Sequence, residues 1–437
     1  MPANDYSSRE QVGWYFYDFA NSPFSSTVVT LFLGPYLTAI AKAGAAADGF
    51  IHPLGMAIDP RAYWGFLVSL SVVTQVLVFP FIGAYADYGQ GKKKMMGWLA
   101  YIGAAATMAM YFIEGANFLL GGALFLLANL AFGASIVLYN SFLPEIAAPE
   151  DRDDVSSKGW GLGYIGGGVL LALNLVLFSN AAKLGITEGM AVRISLLSAG
   201  VWWAGFTLIP LKRIRNRAAG LRLTAETSYF RAGLKQLLQT IASLKNYPQT
   251  VIFLVAYLIY NDAIQTIIAL AAQFGSDELK LPMSSLTLAI LMVQFVAFFG
   301  AFLFNWIAKW MTAKGAVMLS LVIWTAICIY VYLAVKTEAE FFVMAALVAL
   351  VMGGSQALSR SIYSLMIPKG QEAEYFSIYE VSDKGTSWLG PLVFGLALQF
   401  TGNYRLAIMS LIVFFAVGLV VLTRVDVGRA AQEAQNR

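Results

Sequence analysis

The chain has 437 residues, of which 59% are hydrophobic and only 12% are charged, and it carries a net charge of +4 at pH 7. An average soluble domain has about 25% charged residues, so a soluble fold could not bury this much apolar surface. The basic residues fall between hydrophobic segments and form no continuous face, which argues against a nucleic-acid partner. The mean hydropathy of +0.67 indicates an integral membrane protein that contacts the lipid bilayer.

Apolar stretches of about 20 residues, the length at which a helix crosses a bilayer, recur along the whole sequence. We therefore expect an all-α membrane protein with twelve transmembrane helices in two sets of six. The predicted spans are 13–41, 62–87, 94–113, 117–143, 156–178, 190–211, 247–272, 283–308, 314–335, 339–366, 374–400 and 403–424.

Lysine and arginine are distributed unevenly between the loops on the two sides of these spans. If both termini are cytoplasmic, the inner loops and termini hold about 20 of them and the outer loops about 7, and cytoplasmic loops normally carry the excess. We expect both ends of the chain to be cytoplasmic and, in a prokaryote, the protein to lie in the inner membrane.

The longest polar connection, residues 212–246, separates an N-terminal six-helix bundle at 1–211 from a C-terminal bundle with a short cytoplasmic tail at 247–437. The connection opens with the basic run KRIRNR, and apolar residues follow at helical spacing. This pattern predicts an amphipathic helix on the inner membrane surface. Its role as a simple connector or as a lipid-sensing element stays open.

Three short motifs recur in both halves in the same order. The pairs are YDFANS at 17–22 with YNDAIQT at 260–266, SFLP at 141–144 with SLMIP at 364–368, and VSSKG at 155–159 with VSDKG at 381–385. Their members are separated by about 220 to 245 residues, so duplication of one six-helix unit explains them better than chance. The sequence thus predicts two pseudo-symmetric halves.

A glycine-rich basic loop, GAYADYGQGKKK, follows the second predicted span. Its main positions are Gly83, Asp87, Gly91, Lys92 and Lys93. Glycine permits a tight turn, and the carboxylate of Asp87 can pair with a cation or a helix N-terminus in one conformation only. We predict a gating loop, with an ordinary basic turn as the alternative. The corresponding stretch of the second half, 304–315, lacks the acidic residue, which predicts a latch carried mainly by the first half.

These motifs together resemble one family. The loop is similar to the G-x-x-x-D-x-x-G-[basic] loop of the major facilitator superfamily. WYFYDFANSPFSSTV, NSFLPEIA, GWGLGYIGGG, YNDAIQT and QALSRSIYSLMIPKG resemble the branch that contains the vacuolar amino-acid effluxers and their prokaryotic relatives. The resemblance implies a major facilitator fold with two six-helix bundles around a central cavity, alternating access, and release of neutral amino acids such as leucine, isoleucine and tyrosine. It also implies a monomer.

Charged and polar residues inside the predicted spans are the candidates for substrate or proton binding, because an ionisable residue in a span normally faces a protein interior or a water-filled cavity. Asp18 and Asp262 occupy equivalent positions in the two halves. Each suits reversible proton binding, a substrate ammonium group, or a structural pairing. Arg360 suits a substrate carboxylate or, alternatively, an acid that locks one conformation. The other candidates are Asn21, Tyr139, Asn140, Gln265 and Gln356.

The leading function is a secondary transporter of a small organic solute, with protons as a candidate co-substrate. Within transport, a uniporter or an exporter of sugars, peptides or amphiphilic compounds stays open. The rival class is a membrane-embedded enzyme acting on lipid, but no nucleophile with a base or metal cluster in register is visible. A lone Cys328, a lone His52 and the lack of a P-loop predict no disulfide, no metal site, no cofactor and no ATP-driven pump within the chain.

Overall fold

The computed structural model describes residues 6–88, 91–215, 244–384 and 389–435, which form helices joined by loops. The helices of the first half are α1 (Ser8–Pro23), α2 (Leu33–Ala43), α3 (Tyr63–Tyr88), α4 (Lys92–Ala109), α5 (Phe118–Asn140), α6 (Leu143–Ile146), α7 (Arg152–Ser179) and α8 (Glu188–Arg213). The helices of the second half are α9 (Pro248–Gln273), α10 (Met283–Leu333), α11 (Glu338–Leu365), α12 (Glu372–Lys384), α13 (Leu389–Thr401), α14 (Tyr404–Ser410), α15 (Ile412–Thr423) and α16 (Val427–Gln435). Most of the predicted linker, with its amphipathic helix, lies outside the described residues.

The all-α membrane fold is confirmed, since ten helices in the described part of the chain are long and apolar enough to cross a membrane. The longest, α10, has 51 residues and covers the eighth predicted span and all but the last two residues of the ninth. A straight helix of that length would extend about 77 Å, against about 30 Å of hydrocarbon. The helix is interrupted at Met311 and Thr312, whose backbone angles are non-helical, so this segment consists of two helices joined at a kink. The eleventh predicted span falls on α12 and α13.

The first span is one continuous helical run of 36 residues, Ser8–Ala43, and begins before the predicted residue 13. Its middle is a π-helix, Phe24–Phe32, that starts directly after Pro23. Proline has no backbone N–H to donate, so the regular hydrogen-bond ladder cannot continue unchanged past it. A second π-helix, Phe274–Glu278, follows α9. π-Helical segments are rare in proteins overall, and those that occur are often found at functional sites.

Buried apolar residues form two large clusters. One is built almost entirely from the first six spans, and the other almost entirely from the last six. Helices within each half therefore bury their apolar side chains mainly against one another. The few exceptions are contacts between the halves, such as Tyr164 of α7 in the second cluster and Ala373 of α12 in the first.

The glycines of α7 allow this helix to lie directly against α1. A Cβ atom at Gly166 would stand 2.3 Å from the carbonyl oxygen and 2.9 Å from the Cα of Phe19. At Gly163 it would stand 2.8 Å from the hydroxyl of Ser22. Small residues that let backbones approach closely are typical of helix interfaces in membranes, and here they bring α7 against the part of α1 that carries Asp18.

We expect Gly166→Ala to destabilise the fold by about 1 to 3 kcal/mol, because the atoms it meets are backbone atoms that cannot rotate away. The measurement is the unfolding free energy of the purified protein in detergent. Gly205→Ala on α8 is the matched control, since no atom lies within 4 Å of its new methyl group. An alanine there removes a helix-interior glycine and should be neutral or stabilising. Equal effects of the two changes would contradict the close-packing interpretation.

The two halves are joined toward the end of the bundle at which α1 begins, here called the inner end, which the charge distribution predicts to face the cytoplasm. Side chains of α7 donate hydrogen bonds to α11. Arg152 Nη1 donates to the Ser364 carbonyl at 2.5 Å, Ser156 Oγ donates to the Ala357 carbonyl at 2.7 Å, and Tyr164 OH donates to Gln356 Oε1 at 2.9 Å. The structure is therefore closed at its inner end.

Candidate functional site

The central feature of the site is a buried ion pair between the halves. Arg360 of α11 donates from Nη1 to Asp18 Oδ2 of α1 at 3.3 Å. Arg360 is 3% exposed and Asp18 is 8% exposed. Because a buried charge is costly unless it is paired and hydrogen-bonded, each of these residues depends on a partner in the opposite half.

The guanidinium of Arg360 makes three further hydrogen bonds to the first half. Nε donates to Ser156 Oγ at 2.9 Å, Nη2 donates to the Ser156 carbonyl at 2.8 Å, and Nη1 also donates to Asn140 Oδ1 at 3.3 Å. All three guanidinium nitrogens are thereby used. A side chain of the second half is thus held by acceptors on α1, α5 and α7 of the first.

Three aromatic rings enclose the same guanidinium. Its central carbon lies 4.6 Å from the ring centroid of Trp14, 5.3 Å from that of Trp160 and 5.6 Å from that of Tyr139. A cation over an aromatic face within about 6 Å is attracted by the ring quadrupole. We call these three residues the aromatic box.

The aromatic box is itself tightly organised around Asp18. Trp14 and Tyr139 stack at 4.4 Å, and Trp14 Nε1 donates to the Tyr139 carbonyl at 2.8 Å. Tyr139 OH donates to Asp18 Oδ2 at 2.6 Å. Gly159 leaves room for Trp14, Tyr139 and Asp18. A Cβ atom added at this glycine would stand 2.6 Å from the Trp14 ring and 3.0 Å from Asp18 Oδ2.

A second buried carboxylate is linked to this site through Asn140. The amide donates from Nδ2 to Glu380 Oε1 of α12 at 2.8 Å while its oxygen accepts from Arg360. Glu380 is buried. Asn140 therefore bridges two charged residues of the second half.

Asp262 has a different environment from Asp18, although the repeat makes them equivalent. It is 2% exposed, and its Oδ2 accepts a hydrogen bond from the Gly390 N–H in the first turn of α13. Its Oδ1 has no hydrogen-bond partner among the described residues. Nearby, Asn261 and Tyr257 both donate to Asp383 Oδ1, at 2.6 Å and 2.9 Å. Asp18 thus has an arginine partner, whereas Asp262 accepts from a backbone amide.

The remaining predicted residues lie in the same helices. Asn21, one turn along α1 from Asp18, is buried, and its Nδ2 has no partner in the described part of the chain. Gln356, one turn along α11 from Arg360, accepts from Tyr164. Gln265 is half-buried on α9. The structure thus brings Asp18, Tyr139, Asn140 and Arg360 into direct contact and places Asp262 in a separate cluster.

The sequence analysis did not select six residues of these two clusters. They are Trp14, Ser156, Trp160, Tyr257, Glu380 and Asp383. The two acids lie in the predicted eleventh span, where any carboxylate is a candidate by the criterion applied to Asp18. The tryptophans, the tyrosine and the serine carried no signal of that kind, because such residues are common in membrane helices.

The gating-loop residues lie where α3 of the first half meets α12 of the second. Asp87 accepts from the backbone N–H groups of Ala373 and Glu374, at 3.0 Å and 2.8 Å, in the first turn of α12. Gly83 faces the same backbone, since its Cβ would stand 2.5 Å from the Ala373 carbonyl oxygen. A carboxylate at a helix N-terminus is favoured by the helix dipole. This contact joins the two halves at the inner end.

The basic residues of the loop attach it to its own half. Lys92 forms an ion pair with Glu145 of α6, and Lys93 donates to the Ile214 carbonyl at 3.0 Å. Gly91 directly precedes α4.

The second half makes a corresponding contact of different chemistry. Asn305 of α10, in the stretch that lacks an acidic residue, donates to Asp154 Oδ1 of α7 at 3.0 Å. Each half thus reaches the start of a helix in the other, with a carboxylate on α3 and an amide on α10. The sequence analysis predicted a latch carried mainly by the first half and did not include Asn305 of the second half.

Comparisons with known proteins extend over nearly the whole chain. A family model described as "Vacuole effluxer Atg22 like" matches residues 6–435. The MFS-type transporter YxiO of Bacillus subtilis, described as uncharacterized, is 30% identical over 418 residues, which cover 95% of this chain and 94% of the relative. Autophagy-related protein 22-1 of Penicillium rubens is 27% identical over 482 residues, covering 91% of this chain and 80% of the relative.

Solved structures show the same fold at low sequence identity. A bacterial homologue of the iron transporter ferroportin in an outward-facing state has a TM-score of 0.67 at 14% identity, with 95% of this chain and 98% of that chain covered. The proton:xylose symporter XylE has a TM-score of 0.69 at 9% identity, with 95% and 94% covered. At these identities the likeness concerns the fold alone.

Proposed function

The chain belongs to the Atg22-like vacuole effluxer family of major facilitator transporters, and from this membership we propose that it exports neutral amino acids by alternating access. The observation that carries the proposal is the Asp18–Arg360 pair. It joins a charged residue in a span of the first half to one in a span of the second half, and charged residues in spans are rare and mark substrate or ion pathways. The amino-acid substrate comes from the sequence resemblance.

Alternating access requires the halves to separate at each end in turn. The Asp87 contact, the Arg152 hydrogen bond and the Asp18–Arg360 pair all hold the inner end closed. A structure closed at the inner end is one of the two states that such a cycle needs. The other state must break these contacts together, so the energy of substrate binding or of an ion gradient has to offset their loss.

Counterflow in liposomes tests the proposed substrate. Purified protein is reconstituted with unlabelled leucine inside, and entry of labelled leucine is followed. We expect exchange by the native chain and none by the same amount of Asp18→Asn protein, because that change removes the partner of Arg360. Exchange of sugars or amphiphiles without exchange of any neutral amino acid would overturn the substrate.

Asp262 is the proposed proton-binding residue, because it is buried, lacks a cationic partner in the described part of the chain, and keeps one carboxylate oxygen unused. We expect Asp262→Asn to fold, since an asparagine oxygen can still accept the Gly390 hydrogen bond. The variant should exchange leucine by counterflow but lose pH-gradient-driven accumulation by roughly tenfold or more.

The accumulation assay uses liposomes with an imposed pH gradient, and Asp59→Asn in the exposed loop after α2 is the control. Unchanged accumulation by Asp262→Asn would exclude Asp262 as the coupling site. Equal loss in the control would show that the assay reports protein quality instead of coupling.

A further inference from the structure

The site around Asp18 is built for a cation, and Arg360 fills it in this structure. The carboxylate, the aromatic box and the Asn140 oxygen all favour positive charge. The guanidinium that they hold comes from the other half of the molecule. When the inner end opens, α11 moves away from α1, and the guanidinium must leave this site.

Separation of the pair creates two problems at once. Asp18 and the aromatic box would lose their cation, and Arg360 would lose its anion, both in a buried place where an unpaired charge is strongly unfavourable. A ligand that brings only an ammonium group would satisfy Asp18 alone. A ligand that brings only a carboxylate would satisfy Arg360 alone.

We propose that Asp18 and Arg360 together form a zwitterion site, and that an α-amino acid binds by inserting between the two residues. Its ammonium group takes the place of the guanidinium at Asp18 and in the aromatic box, and its carboxylate binds the released Arg360. One ion pair is replaced by two with no change in net charge. This inference rests on the proposed amino-acid transport and assigns its substrate-binding groups.

Two unused hydrogen-bond donors support a carboxylate at this place. Asn21 Nδ2 lies one turn along α1 from Asp18, and Trp160 Nε1 belongs to the ring beside Arg360. Both atoms are buried, and neither has a partner among the described residues. Buried donors are normally satisfied, and a substrate carboxylate, which only accepts, would satisfy them. Since these groups contact the shared backbone part of an amino acid, they do not restrict its side chain.

The test compares leucine with its two matched fragments. 3-Methylbutylamine is leucine without the carboxylate, and 4-methylpentanoate is leucine without the ammonium group. Each is titrated as a competitor of labelled-leucine counterflow by the native protein. We expect each fragment to compete at least about 100-fold more weakly than leucine, because it leaves one buried charge unpaired. This comparison needs no variant.

Two substitutions should change the preference for leucine over its two fragments, in opposite directions. With Arg360→Gln no guanidinium needs an anion, so 3-methylbutylamine should bind as tightly as leucine, measured by thermal stabilisation of the purified protein. With Asp18→Asn the amine should lose its binding, and 4-methylpentanoate should gain relative to leucine. Arg405→Gln, at an arginine that Glu278 holds near the start of α14, is the control and should keep the native preference.

The outcomes separate the two proposals. If the native protein exchanges no amino acid at all, the proposed function fails. If it exchanges leucine but the amine or the acid competes as well as leucine does, the transport proposal stands and the zwitterion site is overturned. Unchanged preferences in folded Arg360→Gln and Asp18→Asn proteins would overturn it as well.

Discussion

Arg360→Gln is expected to abolish leucine exchange and to destabilise the protein by about 3 to 5 kcal/mol, the usual cost of removing one partner from a buried ion pair. The loss arises because Asp18 would remain buried without a cation, and because Ser156 and Asn140 would lose the guanidinium that they bind. Asp18→Asn should be costly for the converse reason. Unfolding in detergent and counterflow in liposomes give the two readouts.

The double variant Asp18→Asn with Arg360→Gln separates stability from function. With both charges gone no unpaired ion remains, so stability should recover by about 2 kcal/mol relative to the sum of the single changes. Exchange should stay absent, because neither end of the substrate has a charged partner. Lys158→Gln is the control, since its ion pair with Asp154 is 44% and 36% exposed and such pairs contribute at most about 1 kcal/mol. Native exchange rates in Arg360→Gln would remove the pair from the mechanism.

Much of the fold could be predicted because membrane spans depend on local properties, namely apolar length and the placement of Lys and Arg. The duplicated motifs even placed Asp18 and Asp262 at equivalent positions. Their different environments could not be predicted, since these depend on the other half. In the register that aligns Ser141 with Ser364, the position equivalent to Arg360 is Val137, so no arginine is available to Asp262 by symmetry.

The sequence could identify a residue of the site only where that residue type is itself unusual in a membrane span. Asp18 and Arg360 were found because charge inside a span is rare. Their contact was not, because they are 342 residues apart in the chain. The tryptophans of the aromatic box were not distinguishable among the aromatic residues, which make up 14% of the sequence. Only packing selects them: Trp14 approaches α7 closely because Gly159 has no side chain, and Trp160 lies beside the Arg360 guanidinium.

Gly83→Leu is expected to shift the protein away from the state closed at its inner end. Even the first atom of the new side chain would stand 2.5 Å and 2.8 Å from backbone atoms of Ala373 and Glu374, so α12 would have to move away from α3. That movement also breaks the hydrogen bonds that Asp87 accepts. Losing a charged helix cap costs about 1 to 2 kcal/mol, and every 1.4 kcal/mol changes a population ratio about tenfold.

A cysteine introduced at Ser364 measures this shift, because Ser364 is buried at the inner end and its carbonyl accepts from Arg152. The native Cys328 is fully buried and should add little background. We expect Gly83→Leu to raise the thiol-labelling rate of Ser364→Cys roughly tenfold and Asp87→Ala to raise it by a similar factor, with exchange falling in both. Gly65→Leu, on the same helix with no atom within 4 Å of its Cβ, should change neither. Labelling at the native rate in Gly83→Leu would show that the contact between α3 and α12 does not hold the inner end closed. The Asp18–Arg360 pair would then have to keep the inner end closed without that contact.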